Sequence, residues 1–187
     1  MIISISGTPG SGKTTVGKEI AKALGMPFYS IGDLRGKMAM ERGVTIDELN
    51  TIGEQDASTD TPIDDYQKAL GEKEDNFVVE GRLSWLFIPH SLKVYLDCDP
   101  SEAARRIFLE CQTGGSKRQD ENICQTQEAV KTGIENRVAS DVKRYDAIYH
   151  VDYRDPAHYD IVFDTTAILD PQQVADEVLK KIKEHGA

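Results

Sequence analysis

The chain opens Met1-Ile2-Ile3-Ser4-Ile5-Ser6-Gly7-Thr8-Pro9-Gly10-Ser11-Gly12-Lys13-Thr14-Thr15, an apolar run that breaks into glycines and then into a lysine and two threonines. Residues Gly7 to Thr14 fit G-x-x-x-x-G-K-[ST] without a mismatch, and the motif's context is right: a short apolar strand before it, an Ala/Lys/Leu-rich helix after it. Each residue type has a physical job. The glycines let the backbone curl so that successive N–H groups point at phosphate oxygens, and the helix that follows adds its positive end. Lys13 can reach the β- and γ-phosphates of a nucleotide, and the Thr14 hydroxyl can ligate Mg²⁺. Gly7, Gly10, Ser11, Gly12, Lys13, Thr14 and Thr15 are therefore the expected cradle for ATP.

Outward from this loop, short apolar runs read as strands at Met1–Ser6, Pro27–Ser30, Phe77–Glu80, Lys93–Asp97 and Ile161–Asp164. Helical patterns lie between them, from Lys13–Leu24 to Pro171–His185. Alternating strands and helices predict parallel βαβ units, hence an α/β fold of three layers with helices on both faces of the sheet. Asp170 and Pro171 suit the cap and first position of the last helix. Two helical stretches, Gly32 to Gly71 and Ser101 to Tyr149, are too long for simple crossovers and are expected to form flaps over the carboxyl ends of the strands. With no repeat or low-complexity tract, the 187 residues read as a single domain.

A net charge of −10 excludes a broad electrostatic grip on nucleic acid but not on a mononucleotide, which needs only a few local cations. The first apolar run is too short for a signal peptide or membrane span, so the chain is expected to be cytoplasmic. Cys98, Cys111 and Cys124 are odd in number and lack CxxC spacing, which predicts reduced, structural thiols rather than a disulfide or zinc site. No Asn-Lys-x-Asp run is present to read guanine, and the domain is short for an ATPase engine. Small phosphotransferases remain the leading class.

Candidate acceptor-side residues fall in three places. Ser30-Ile31-Gly32-Asp33-Leu34-Arg35 ends a strand and opens a helix, where Asp33 either simply favours the helix dipole or, in the functional reading, lies near the magnesium waters with Arg35 on an acceptor phosphate. Phe77-Val78-Val79-Glu80-Gly81-Arg82 is a strand that ends in an acid and an arginine. Glu80 could hold a water of the Mg²⁺ shell and Arg82 could fork onto a phosphate. Arg137, Asp141 and Arg144 share one helix face. The apolar stripe of Ile134, Val138, Val142, Tyr145 and Tyr149 lies beside them, so that charged face is expected to be exposed. Guanidinium groups closing over a transferring phosphoryl group would stabilise its spread charge. The four histidines show no partner pattern and read as surface or packing residues. No general base is required, because an acceptor phosphate oxygen is already nucleophilic.

With these motifs the sequence resembles the nucleoside monophosphate kinases, and among them cytidylate kinase of the short archaeal type. The similarity is carried by Ser30-Ile31-Gly32-Asp33, by Glu80-Gly81-Arg82-Leu83-Ser84 and by the R-x-x-x-D-x-x-R of Arg137, Asp141 and Arg144. It implies a P-loop kinase fold with a central five-stranded parallel sheet, an acceptor flap at about 32–71, a lid at about 109–137 and a monomeric enzyme. It also implies ATP and Mg²⁺ as donor and CMP or dCMP as acceptor, with no nucleic-acid or membrane partner. By the same resemblance, Lys13, Arg82, Arg137 and Arg144 would be catalytic, with Arg82 on the acceptor phosphate and the two helix arginines bridging both phosphates. Asp141 would meet the acceptor ribose, Asp64 and Gln67 would read the base, and Asp164-Thr165-Thr166 would lie beside adenine, with Thr165 in contact. Thr14, Glu80 and Asp33 would serve the metal. The sequence departs from the family pattern where Gly36 replaces an expected arginine and where the lid carries Gly114-Gly115-Ser116, with Lys117 and Arg118 only after it. Another monophosphate, a small metabolite or a non-catalytic ATP-binding regulator remain alternative readings.

Overall fold

Strand β1 (Ile2–Gly7) is buried along its whole length, which the sequence dictates by alternating isoleucines with serines rather than charges. In the computed structural model, which describes residues 1–54, 56–113 and 124–185, β1 is the middle of a sheet ordered β2-β3-β1-β4-β5. The others are β2 (Phe28–Ser30), β3 (Phe77–Glu80), β4 (Leu92–Asp97) and β5 (Ile161–Asp164), and all pairings are parallel. The strand positions and the three-layer α/β class expected from the sequence are borne out.

Parallel strands buried on both faces must alternate which neighbour each side chain meets. Ile3, Ile5, Val78, Val94 and Leu96 face α1 (Lys13–Leu24) and α8 (Pro171–His185), where Val16, Ile20, Val174, Val178 and Ile182 complete one core. Ile2, Phe77 and Val79 face the opposite way, onto α2 (Ile31–Glu41), α4 (Thr61–Lys73) and the single turn α5 (Ser84–Phe87) with the residues after it, meeting Ile31, Ile63, Leu70 and Ile88. The serines of β1 are satisfied: Ser4 accepts from the Ser91 hydroxyl at 2.8 Å, and Ser6 donates to the Arg82 carbonyl at 3.1 Å.

The stretch between β2 and β3 is helical, as its polar sequence predicts: α2, α3 (Ile46–Gly53) and α4. Thr45 and Glu48 form a capping box at the start of α3. Between β4 and β5 run α6 (Pro100–Gln112), capped by Asp99, and α7 (Gln127–Tyr149), capped by Thr126. Asp170 accepts from the Gln172 amide at the start of α8, as its position before Pro171 suggests.

One expectation about cysteine is overturned. Cys111 and Cys124 form a disulfide with Cα atoms 6.0 Å apart, and only Cys98 is a free, buried thiol. The pairing needs the end of α6 to approach Cys124, two residues before the α7 cap, and a spacing of thirteen residues carries no such information. The segment 114–123, which holds Gly114-Gly115-Ser116, Lys117 and Arg118, lies outside the described residues.

Candidate functional site

The P-loop leaves β1 at the carboxyl edge of the sheet and is built from both sides. Gly10 has φ +78°, and a Cβ there would meet the Ala103 Cβ of α6 at 2.8 Å, so only glycine lets the loop sit on that helix. Gly12 caps α1 in the left-handed region without any side-chain cap bond, leaving the first helical amides facing outward as an anion site. Ser11 closes the turn by donating its hydroxyl to the Thr8 carbonyl at 2.9 Å. Lys13 Nζ donates to the same carbonyl at 2.7 Å, folded back within the loop, and a nucleotide would offer it a stronger, charged acceptor. Thr15 is exposed on the first turn of α1.

Beside the loop, register decides which acid it meets. β1 pairs with β3 so that Ile5 lies opposite Glu80, and the Gly81 amide continues the ladder to the Ile5 carbonyl at 3.0 Å. Glu80 Oε2 then accepts from the Thr14 hydroxyl at 3.2 Å and from the Ser30 hydroxyl at 3.0 Å. Ser30 also accepts from the Asp33 amide as the cap of α2, which brings the exposed Asp33 into the first turn beside this group. Thr14, Glu80 and Asp33 fit a magnesium site of the sparse kind, in which one or two carboxylates share the ion with waters and substrate phosphates. Among the described residues no cluster of three or more His, Cys, Asp or Glu side chains is arranged to hold a metal alone.

The acceptor-side arginines come together in one buried network. Arg82, one residue past β3 and Gly81, pairs through Nε with Asp141 Oδ2 at 2.8 Å as a charge contact rather than an aligned hydrogen bond. The other oxygen, Asp141 Oδ1, accepts from Arg144 at 2.9 Å. Arg144, with its side chain 1% exposed, also donates to Asn50 Oδ1 at 3.0 Å and to the Tyr145 hydroxyl at 3.1 Å. Its Nε lies 3.5 Å from Asp60 Oδ1. From α2, Arg35 reaches the same two partners, Asn50 Oδ1 at 2.8 Å and Asp60 Oδ1 at 3.0 Å. Gly53 permits the approach of α3: a Cβ there would meet Thr59 Oγ1 at 2.6 Å and Arg144 Cδ at 3.1 Å. Three guanidinium groups thus share two carboxylates, an excess of positive charge suited to an anionic ligand. Burial is the largest influence on Arg82 and opposes its charge, but Asp141, Tyr153, Tyr145 and Glu80 together outweigh it and raise the pKa.

This network corrects the expectation that the Arg137–Asp141–Arg144 face is exposed. Asp141 and Arg144 are among the most buried polar residues described, and Arg137, one turn earlier, is half-buried. Helix α7 is covered on both sides: Val130 and Ile134 pack on α6, while Val142, Tyr145 and Tyr149 join an aromatic cluster with Trp85, Tyr95 and Tyr153. Ion pairing lets a charged face be buried, and the pairing partners come from elements remote in sequence.

The remaining expected residues are placed as follows. Asp64 on α4 is buried and accepts from the Tyr149 hydroxyl, so it ties α4 to α7. Gln67 is buried, its Oε1 accepting from the Ser84 hydroxyl at 2.7 Å. Thr165 lies beyond β5 and is fully buried, its hydroxyl turned inward to the Asp97 carbonyl at 2.9 Å. Gly36 faces α3, where its nearest neighbour would be Ile46, whereas Arg35 reaches Asn50 and Asp60. Sequence reading missed Asn50, Asp60, Tyr153 and Arg106. Asp60 precedes Thr61-Pro62 and looks like a helix cap, but its carboxylate makes no cap bond and serves Arg35 instead. Arg106 holds the loop after β5 by donating to the carbonyls of Thr165, Thr166 and Ile168 at 2.7, 3.3 and 3.1 Å.

Known proteins resemble this chain in sequence and in fold. The model of the cytidylate kinase-like family matches residues 2–167. A cytidylate kinase of Archaeoglobus fulgidus is 33% identical over 184 residues, covering 98% of this chain and 95% of that protein. One from Methanocella arvoryzae is 34% identical over 184 residues, covering 98% of each. Among solved structures, a shikimate kinase from Bacteroides thetaiotaomicron has a TM-score of 0.65 at 19% identity, covering 98% of both chains, a likeness of fold. No described helix is long and apolar enough to cross a membrane.

Proposed function

The chain belongs to the cytidylate kinase-like family and is a nucleoside monophosphate kinase, and from that premise we propose that it moves the γ-phosphate of Mg-ATP onto CMP or dCMP. The observation that carries the reading is the juxtaposition of the uncapped start of α1 with a buried network of Arg82, Arg144 and Arg35 on the neighbouring strand and helices. One side grips a triphosphate and the other offers excess positive charge where a second phosphate can bind.

In this reading the amides from Gly10 to Thr15 and the Lys13 ammonium hold the donor phosphates. Thr14, Glu80 and Asp33 would hold Mg²⁺ directly or through water, and the ion would supply neutralisation of the phosphate charge. Arg82 takes the acceptor phosphate. Arg144 and Arg137 reach both phosphates from α7 when the flap of about residues 32–71 and the lid of about residues 109–137 close. Asp141, released from Arg82 and Arg144 by the incoming phosphates, turns to the ribose, and Asp64 and Gln67 face the base. Thr165 shapes the adenine side through the loop that Arg106 clamps. The work is positioning and charge stabilisation in a site closed to water.

The test is ADP formation from Mg-ATP with CMP, dCMP, UMP, AMP or GMP, each against a control without acceptor. Stimulation by CMP or dCMP is expected. Stimulation by another monophosphate alone overturns the acceptor, and ATP binding without stimulation by any of them overturns the monophosphate reading in favour of another acceptor or a regulator.

A further inference from the structure

Two guanidinium groups of the acceptor-side network, those of Arg144 and Arg82, lie over a tyrosine ring. Arg144 Cζ is 4.8 Å from the ring centre of Tyr145, and Arg82 Cζ is 5.4 Å from that of Tyr153. The two rings meet edge to face, 5.8 Å apart at 85°. Tyr145 has a polar tether in addition, since its hydroxyl accepts from Arg144. Tyr153 has none: its side chain is wholly buried and its hydroxyl makes no hydrogen bond among the described residues. A buried phenol without a partner carries a desolvation cost that phenylalanine would avoid, so hydroxyl bonding does not explain the residue. Its ring is what the surroundings use.

The position of that ring is fixed by a closed circuit of contacts. The Arg82 carbonyl accepts from Trp85 Nε1 at 3.0 Å. Trp85 meets the Tyr159 ring at 5.8 Å, and the Tyr159 hydroxyl donates to the Tyr153 carbonyl. The Tyr153 ring then returns to the Arg82 guanidinium. Arg82 is thereby held at its backbone by one end of the circuit and at its charged head by the other.

We propose that Tyr153 is a positioning residue for Arg82, orienting its guanidinium for the acceptor phosphate through the face of its ring. The proposal rests on the reading of Arg82 as an acceptor-phosphate group. Its physical basis is the division of directions around a guanidinium. A ring beneath the plane attracts the cation by its quadrupole and leaves the in-plane N–H donors available. Asp141 competes for those donors and must exchange with an incoming phosphate, whereas the ring contact persists through the exchange. Tyr153 keeps Arg82 aimed during the step in which its carboxylate partner is lost.

The experiment replaces Tyr153 by Phe and, through site-specific incorporation, by pentafluorophenylalanine, which keeps the shape of Phe but removes the negative ring face. The expected result is that Phe keeps kcat and both KM values within about twofold, while the fluorinated ring raises the KM for the acceptor about three- to tenfold. The KM for ATP and the melting temperature of the two variants should match. Equal acceptor KM values for the two rings would overturn the proposal and leave Tyr153 a packing residue. Rotation about the Arg82 Nε–Cζ bond, followed by ¹⁵N NMR without any ligand, decides the matter independently of turnover. Faster rotation over the fluorinated ring than over Phe supports the contact, and equal rates overturn it. If no monophosphate stimulates the wild-type chain, the kinase reading falls while the NMR comparison still judges the ring.

Discussion

Burial raises the Asp64 carboxyl from its usual 3.8 to about 6, and the hydrogen bond it accepts from Tyr149 opposes the rise only in part, with Asp60 adding repulsion. Between these two values the folded protein holds a proton that the unfolded chain has released, so stability falls as pH rises. The penalty is absent below about pH 4 and complete above about pH 6, set by the same pair of values. Asp64→Asn keeps an oxygen for Tyr149 and removes the charge. Melting temperatures measured from pH 4 to pH 7.5 are expected to fall less steeply for the variant than for the wild type. Parallel curves would show that Asp64 titrates as an ordinary exposed acid. The same single-residue scale explains the spare cation: Arg35, Arg82 and Arg144 are affordable in the interior only because Asp60, Asp141 and Asn50 meet them at 2.8 to 3.5 Å.

Helix α6 acts as a bracket between the two halves of the donor side. Ala103 packs under the P-loop at Gly10, and three residues later Arg106 holds the carbonyls of the loop that follows β5. Glu102 fixes Arg106 from within the helix through a 2.9 Å bond. Bonds from Arg105 and Arg106 hold that carboxyl at a pKa of about 2 against the cost of burial. Arg106→Ala therefore frees three carbonyls and the loop beside the expected adenine position. The KM for ATP should rise about tenfold, while the KM for the acceptor changes less than twofold, on the scale of losing a charged hydrogen-bond donor. Steady-state kinetics with each substrate varied in turn checks this, and a rise in the acceptor KM alone would misplace the nucleotide sides. Helix α7 illustrates a second element-scale point. Its sequence looks amphipathic with a polar outer face, but Asn50 and Asp60 cover that face and turn it into a buried ion-pair surface.

At the scale of the molecule, two remote segments are tied to α7. The flap is clasped by Asp64–Tyr149, by Ser140 and Lys143 on Glu54, and by Arg144 on Asn50 and Asp60. The end of α6 is tied by the Cys111–Cys124 disulfide, which closes a loop of thirteen residues' separation. A loop of that size is worth about 2–3 kcal/mol of chain entropy. Reduction with a dithiol should then lower the melting temperature by about 5–10 °C, and Cys111→Ser/Cys124→Ser should match the reduced protein. Thiol titration of the denatured chain should find Cys98 alone before reduction and all three cysteines after it. Three free thiols before reduction would show that the pair is open in solution.

The sequence by itself determined the donor side and the layering. A P-loop is local: seven residues of backbone curvature and one helix start make the proposed anion site, so Gly7 to Thr15 carry its geometry whole. The strand runs are equally local, because burial on both faces demands continuous apolar stretches. The sequence also singled out Arg82, Asp141 and Arg144, since each sits at a strand tip or on a shared helix face. What only the tertiary structure decided is who meets whom. Asn50 and Asp60 lie about ninety and eighty residues before Arg144 in the chain, and nothing in their local pattern distinguishes them from a polar helix residue and a helix cap. The burial of the α7 charges, the inward turn of Thr165, the clamp by Arg106, the Tyr153 face under Arg82 and the cysteine pairing share that cause. Each is a contact between elements, fixed when the layers pack, and residue spacing along one element does not encode it.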